Sequence, residues 1–249
     1  MQLRRTINFD DVKLSYVDRP GDGPVLVLIP GSFEDVHQWD ATATSLPADW
    51  RLILIEVRGH GQSWPPLASD SIETFAEDVM RVANHADLHR FYVGGHSIGG
   101  MIAIEVARIA PKSVAAVISI EGWTHGLVTV DAFDGNMYGT LTPQLQETQS
   151  AARDRATGHW TDDQRDQFCQ IYLRWERGLD CLQATSLPIL ELYGDRGKPK
   201  PTREQLQIPD RPNIQLQWFN DASHALPLER PRELADAIVP FIEALEPRR

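Results

Sequence analysis

Gly95-His96-Ser97-Ile98-Gly99 is the stretch of this 249-residue chain best suited to chemistry. A serine acts as a nucleophile only when its hydroxyl stands clear of its neighbours and a base can reach it. Glycines two residues before and two after let a strand and a helix approach, with the serine at the tip of a tight turn. The flanking sequence agrees: an apolar run at 91–93 precedes the turn and a helix-like segment, 98–110, follows it. The same turn sets the Ile98 N–H at a helix start, where a donor without an intrahelical acceptor can hold an oxyanion.

A base must come from elsewhere. His224 lies late in the chain, in Asn220-Asp221-Ala222-Ser223-His224-Ala225-Leu226-Pro227, after the last strand-like run. Two further motifs follow strand-like runs, Pro30-Gly31 and Arg58-Gly59-His60-Gly61-Gln62-Ser63. In this order and spacing the four motifs resemble the α/β-hydrolase superfamily over essentially the whole length. The resemblance implies Ser97 as nucleophile and His224 as its general base. It also implies that the residue after the first glycine, Ser32, gives its N–H to the oxyanion beside Ile98, with Phe33 a close alternative. Neither a metal nor an organic cofactor is needed for such a site. By chain position Phe33, Trp39, Trp123 and Leu226 fall near it, and Phe33 and Trp123 are assigned to an apolar substrate pocket. His60 and His96 are read as packing residues.

The third member of the triad departs from the pattern. Most relatives carry an aspartate three residues after a glycine that follows the seventh strand, and here that position is Gly197. Asp195 stands two residues early, in a Gly-Asp pair of the kind that favours turns. Glu121 ends the sixth strand-like run, where a minority of the superfamily carries its acid. An ionisable group at the end of a buried strand needs a partner, so Glu121 is preferred to Asp195.

These residues need a scaffold. Val25-Leu26-Val27-Leu28-Ile29 is continuously apolar, as suits a strand covered on both faces. Similar runs at 52–55, 114–120 and 189–192 alternate with helix-like segments, while 3–8 and 12–17 read as a hairpin. The expected fold is α/β: a mostly parallel central sheet with helices on both faces and a small helical cap. The core is assigned to 1–121 and 187–249 and the cap to 122–186. Within the cap Pro143 opens one helix, Thr161 and Gln164 form a capping box, and Phe168, Ile171, Tyr172 and Trp175 make an apolar stripe. A last helix spans 232–245, with Pro240 expected to kink it or end it early.

Composition excludes several partners. The net charge of −11 offers no positive field for nucleic acid or for an anionic membrane. No apolar run approaches the roughly 18–20 residues that span a bilayer, and the first ten residues lack the apolar stretch of a secretory signal. Two cysteines, Cys169 and Cys181, are too few for a disulfide framework or a zinc site, and read as reduced thiols of a cytoplasmic protein. The expected partner is a small-molecule substrate, with a homodimer left open.

The resemblance implies acyl transfer to water: hydrolysis of a small ester or related acyl compound by Ser97, His224 and Glu121. The alternative is a cofactor-independent ring-cleaving dioxygenase of the quinolone type. Those enzymes resemble this chain in fold and also place their acid after the sixth strand, but carry a tryptophan where Ser32 stands.

Overall fold

The computed structural model describes residues 3–67 and 69–247; residues 1, 2, 68, 248 and 249, assigned above to the core, lie outside that range. One sheet of eight strands runs through the molecule in the order β1-β2-β4-β3-β5-β6-β7-β8. The hairpin β1 (Leu3–Asn8) and β2 (Lys13–Arg19) is antiparallel, and β2 pairs antiparallel with β4 (Arg51–Ile55). From β4 onward the ladder is parallel through β3 (Val25–Ile29), β5 (Phe91–His96), β6 (Val114–Ile120), β7 (Ile189–Gly194) and β8 (Ile214–Phe219).

The apolar runs feed two separate cores because neighbouring side chains on a strand face opposite ways. Val27 and Ile29 enter one cluster, with α2 (Ile72–His85) and α3 (Ile98–Ile109). Leu26 and Leu28 enter the other, with Trp39, α1 (Asp40–Ser45) and α9 (Pro231–Glu243). Ser71 caps α2 by accepting from the Thr74 N–H. The last helix runs through Pro240 to Glu243 rather than ending early. Pro240 lies in its final turn, so one backbone bond is lost, and Leu234, Ile238, Phe241 and Ile242 stay buried beneath it.

Four helices fill the stretch between β6 and β7: α4 (Val128–Phe133), α5 (Pro143–Thr157), α6 (Asp162–Arg174) and α7 (Gly178–Ala184). Thr142 caps α5, and the Thr161–Gln164 capping box is fully formed on α6. Among the described residues no helix is long and apolar enough to cross a membrane. The order reverses at β3 and β5, so their loops diverge and leave a crevice at the carboxyl ends of the strands. The short α8 (Leu226–Glu229) follows the loop that carries His224.

Candidate active site

Ser97 occupies the turn between β5 and α3, with φ 55° and ψ −120°. An L-residue adopts that backbone only when its surroundings enforce it, and they do. The Ser97 N–H donates to the Ile120 carbonyl (2.9 Å), and its own carbonyl accepts from Gly100 (2.8 Å). A Cβ on Gly95 would strike the Gly99 carbonyl, and one on Gly99 would strike the Ile29 carbonyl. The glycines therefore serve close approach of strand and helix, as the spacing predicts.

The β3 loop commits two of its three first donors. Gly31 N–H donates to Gln38 Oε1 (2.9 Å), and Phe33 N–H donates to His60 Nε2 (3.1 Å). Of the two oxyanion donors considered, Phe33 is thus occupied, while Ser32 makes no such bond among the described residues. Ile98 is the first residue of α3, so its N–H has no acceptor within the helix.

His224 and Glu121 meet directly. Glu121 Oε2 accepts from His224 Nδ1 at 3.1 Å, and both side chains are essentially inaccessible to solvent. Glu121 directly follows β6, at φ 53°. Its carboxylate collects three further hydrogen bonds, from Gly194 N–H to Oε1 (2.6 Å) and from Arg196 Nη1 and Nη2 to Oε1 and Oε2 (2.7 Å each). Burial alone would raise its pKa. Arg196 and His224 reverse that and hold it down at about 2. Burial lowers the pKa of His224, against the upward pull of Glu121.

Asp195 is engaged elsewhere. Its Oδ1 accepts from the N–H groups of Gly197 (2.9 Å) and Asp221 (2.7 Å), so it ties the β7 turn to the β8 turn. The neighbouring Arg196 is the residue that a search for an acid alone passes over. The signal for it lay in the sequence: a buried strand-end glutamate needs a cation, and Arg196 is two residues beyond β7.

His96 is the residue before Ser97, and its ring centroid lies 4.9 Å from that of His224. Its Nε2 donates to the His224 carbonyl (2.7 Å), and its Nδ1 accepts from Gln38 Nε2 (3.2 Å). With Gln38 Oε1 on Gly31 N–H, this chain of contacts joins the β3 loop, the β5 turn and the β8 loop. Burial and the nearby His224 push His96 down to about 3, so it is a neutral bridge. No direct hydrogen bond joins Ser97 to His224 among the described residues. Such bonds are commonly long in sites without substrate.

The predicted pocket residues separate. Trp123 stands over His224, with ring centroids 5.4 Å apart, and packs edge-on against Tyr172 of α6. Tyr138 approaches the same imidazole edge-on at 5.9 Å. Phe33 instead contacts His60, Trp160 and Phe168, and so joins the β3 loop to α6. Trp39 lies in the opposite core.

The geometry can now be set beside known proteins. Residues 24–142 match the family model described as the alpha/beta hydrolase fold. The chain has the α/β-hydrolase fold. Its fold is similar to that of a thermophilic esterase from Thermogutta terrifontis, with TM-score 0.74 and 21% identity, covering 98% of this chain and 100% of that one. It is also similar to the enol-lactonase from Burkholderia xenovorans LB400, with TM-score 0.80 and 18% identity, covering 96% and 100%. Among curated relatives, the dihydrolipoyllysine-residue acetyltransferase component of the acetoin cleaving system of Pseudomonas putida is 33% identical over 95 residues, 38% of this chain and 26% of that protein. The chain spans less than half the length of the curated relatives it matches first.

Proposed function

We propose that this α/β-hydrolase cleaves a small ester or related acyl compound through Ser97, His224 and Glu121. The observation that carries the proposal is the 3.1 Å contact between Glu121 and His224 Nδ1. It leaves Nε2 as the ring nitrogen free to serve Ser97. A proton on Nδ1 donates to the carboxylate, so Nε2 is the basic nitrogen.

In the proposed reaction His224 Nε2 takes the Ser97 proton as Oγ attacks the acyl carbon. The carbonyl oxygen becomes an oxyanion between the Ser32 and Ile98 N–H groups. Collapse expels the alcohol, which takes the proton from His224, and leaves an acyl-serine. Water, activated by the same imidazole, then releases the acid. Glu121 fixes the tautomer and offsets the charge of the imidazolium.

The insert, 122–186, would act as a cap over this site, with Trp123, Tyr138 and Tyr172 as walls suited to a compact acyl group. Similar folds carry the names of esterases and lactone-cleaving enzymes, which supports carboxylic esters and lactones as the first substrates to try. We further place the protein in the cytoplasm, a reducing compartment suited to its two free thiols, Cys169 and Cys181.

The test is treatment with a small fluorophosphonate followed by peptide mass spectrometry. An adduct on Ser97 that is lost in His224→Ala supports the proposal. A folded protein that takes no adduct, and consumes oxygen with a hydroxyquinolone, would instead be a ring-cleaving dioxygenase built on the same His224–Glu121 pair.

A further inference from the structure

Arg196 enters none of these steps, yet its side chain is fully buried at the back of the site. A guanidinium loses much solvation on burial, so its partners should be many and well aligned. Its two terminal nitrogens grip both oxygens of Glu121 at 2.7 Å, in the fork geometry that suits a carboxylate. Nη1 also donates to the Gly194 carbonyl, and Nε to the Asn136 carbonyl at 3.3 Å. The guanidinium carbon stands 3.7 Å from the centre of the Phe133 ring, a cation–π contact. The arginine is therefore clamped between the β7 loop and the insert before it touches the acid.

That clamp matters because Glu121 has one degree of freedom too many. A glutamate carries one more rotatable bond than the aspartate usual in such triads, and an unrestrained carboxylate would sweep past the imidazole. The fork and the Gly194 N–H fill Oε1 and share Oε2, so that Oε2 stays within reach of His224 Nδ1.

We propose that Arg196 is a positioning residue for the acid of this site: it locks the Glu121 carboxylate in the one orientation that serves His224. This rests on the assignment of Ser97, His224 and Glu121 above. The arginine also adds a positive charge beside the imidazole. The charged and titratable groups facing His224 are Glu121, Arg196, His96 on β5, Tyr138 in the insert and Arg153 on α5. Only Glu121 among them is an anion at neutral pH, and Arg196 and Arg153 both oppose the imidazolium.

The experiment uses the full chain and the variants Arg196→Lys, Arg196→Met, Glu121→Gln and the double variant Glu121→Gln/Arg196→Met. The rate of fluorophosphonate labelling is followed against pH. In parallel, the His224 Nδ1 proton is followed by NMR in a Ser97→Ala background. Arg196→Lys keeps the charge and loses the fork, and should label about 10-fold more slowly per folded molecule. Arg196→Met should label about 100-fold more slowly, as expected for a misplaced catalytic group, and the His224 Nδ1 proton, held on Glu121 in the parent protein, should lose its downfield resonance. In the Glu121→Gln background the same change should cost less than about 3-fold, because a residue acting through Glu121 has nothing left to position.

Equal losses in both backgrounds would overturn the proposal, as would an unchanged His224 Nδ1 proton resonance in a folded Arg196→Met protein. If Arg196→Met does not fold, Arg196→Lys decides: wild-type labelling would overturn the proposal and a slower rate would support it. Absence of labelling in the wild type sinks the hydrolase assignment. The NMR resonance then judges Arg196 separately.

Discussion

Arg58 and Arg196 are both buried arginines gripping carboxylates, but their surroundings finish differently. Arg58, in the loop after β4, holds Asp78 of α2 through Nε and Nη2 (2.8 and 2.9 Å) and Asp11 of the β1–β2 turn through Nη2 (2.8 Å). Asp70 lies 3.6 Å away, and Arg81 closes the group from outside by donating to Asp11 and Asp78. Two arginines face three aspartates there, burial pushes Asp70 up to about 6, and none of Ser97, His224 and Glu121 bonds to the cluster among the described residues, so it ties α2, the β1–β2 turn and the loop after β4 together. The Arg196 cluster has the same chemistry with one change: Glu121 has a histidine on its free edge. An ion pair that closes on itself staples loops together, whereas one that leaves an edge for imidazole can feed a reaction. The family motif Arg58-Gly59-His60-Gly61 therefore builds scaffold, although it is as polar as the site.

The largest effect that sharpens this contrast is Glu121→Gln. It should lower kcat/KM by about 10²–10⁴-fold, in line with loss of the acid of a triad, while ester turnover and melting are measured together. Wild-type turnover would erase the distinction. Arg58→Met should do the reverse. Removing the fork from the buried Asp78 and the charge beside the buried Asp70 should destabilise the fold by about 3–5 kcal/mol, visible in denaturant melts, with kcat/KM per folded molecule unchanged. A smaller effect concerns pH. As the proposed base, His224 must be neutral, so activity should fall as pH drops through its pKa. Burial lowers that pKa from its ordinary value, so the acid limb of kcat/KM should have its midpoint below about 6.5. In Glu121→Gln, which loses an upward pull, the midpoint should move lower still. Least of all, Asp195→Asn should change kcat/KM by less than about 3-fold, because an amide oxygen can still accept from Gly197 and Asp221. A loss as large as that of Glu121→Gln would return the acid to the β7 loop.

Much of this was legible in the residues. Continuous apolar runs specified strands covered on two faces, and the glycines around Ser97 specified the turn, because sterics leave few alternatives there. Proline and capping signals at Thr142-Pro143 and Thr161 located two helices of the insert. Other features were not legible, since they depend on contacts far apart in the chain. Gln38 joins the β3 loop to His96 across 58 positions, and no local pattern marks it. Phe33 looked like a pocket wall by its place beside Ser32, but its ring packs on Trp160 and Phe168 of the insert. Arg196 carries a local signal as the cation beside β7, but only the fold brings it across 75 positions to Glu121.

Phe33, Ser97 and Glu121 each take a positive φ, of 64°, 55° and 53°, at the ends of three different strands. Glycine would relax the backbone at each of them. A library screened for heat resistance alone would thus be drawn toward glycine where the candidate chemistry resides, and a survivor could be tougher and inert. Any programme to harden this protein should freeze those three codons first and look for its gains in the hairpin and the outer helices.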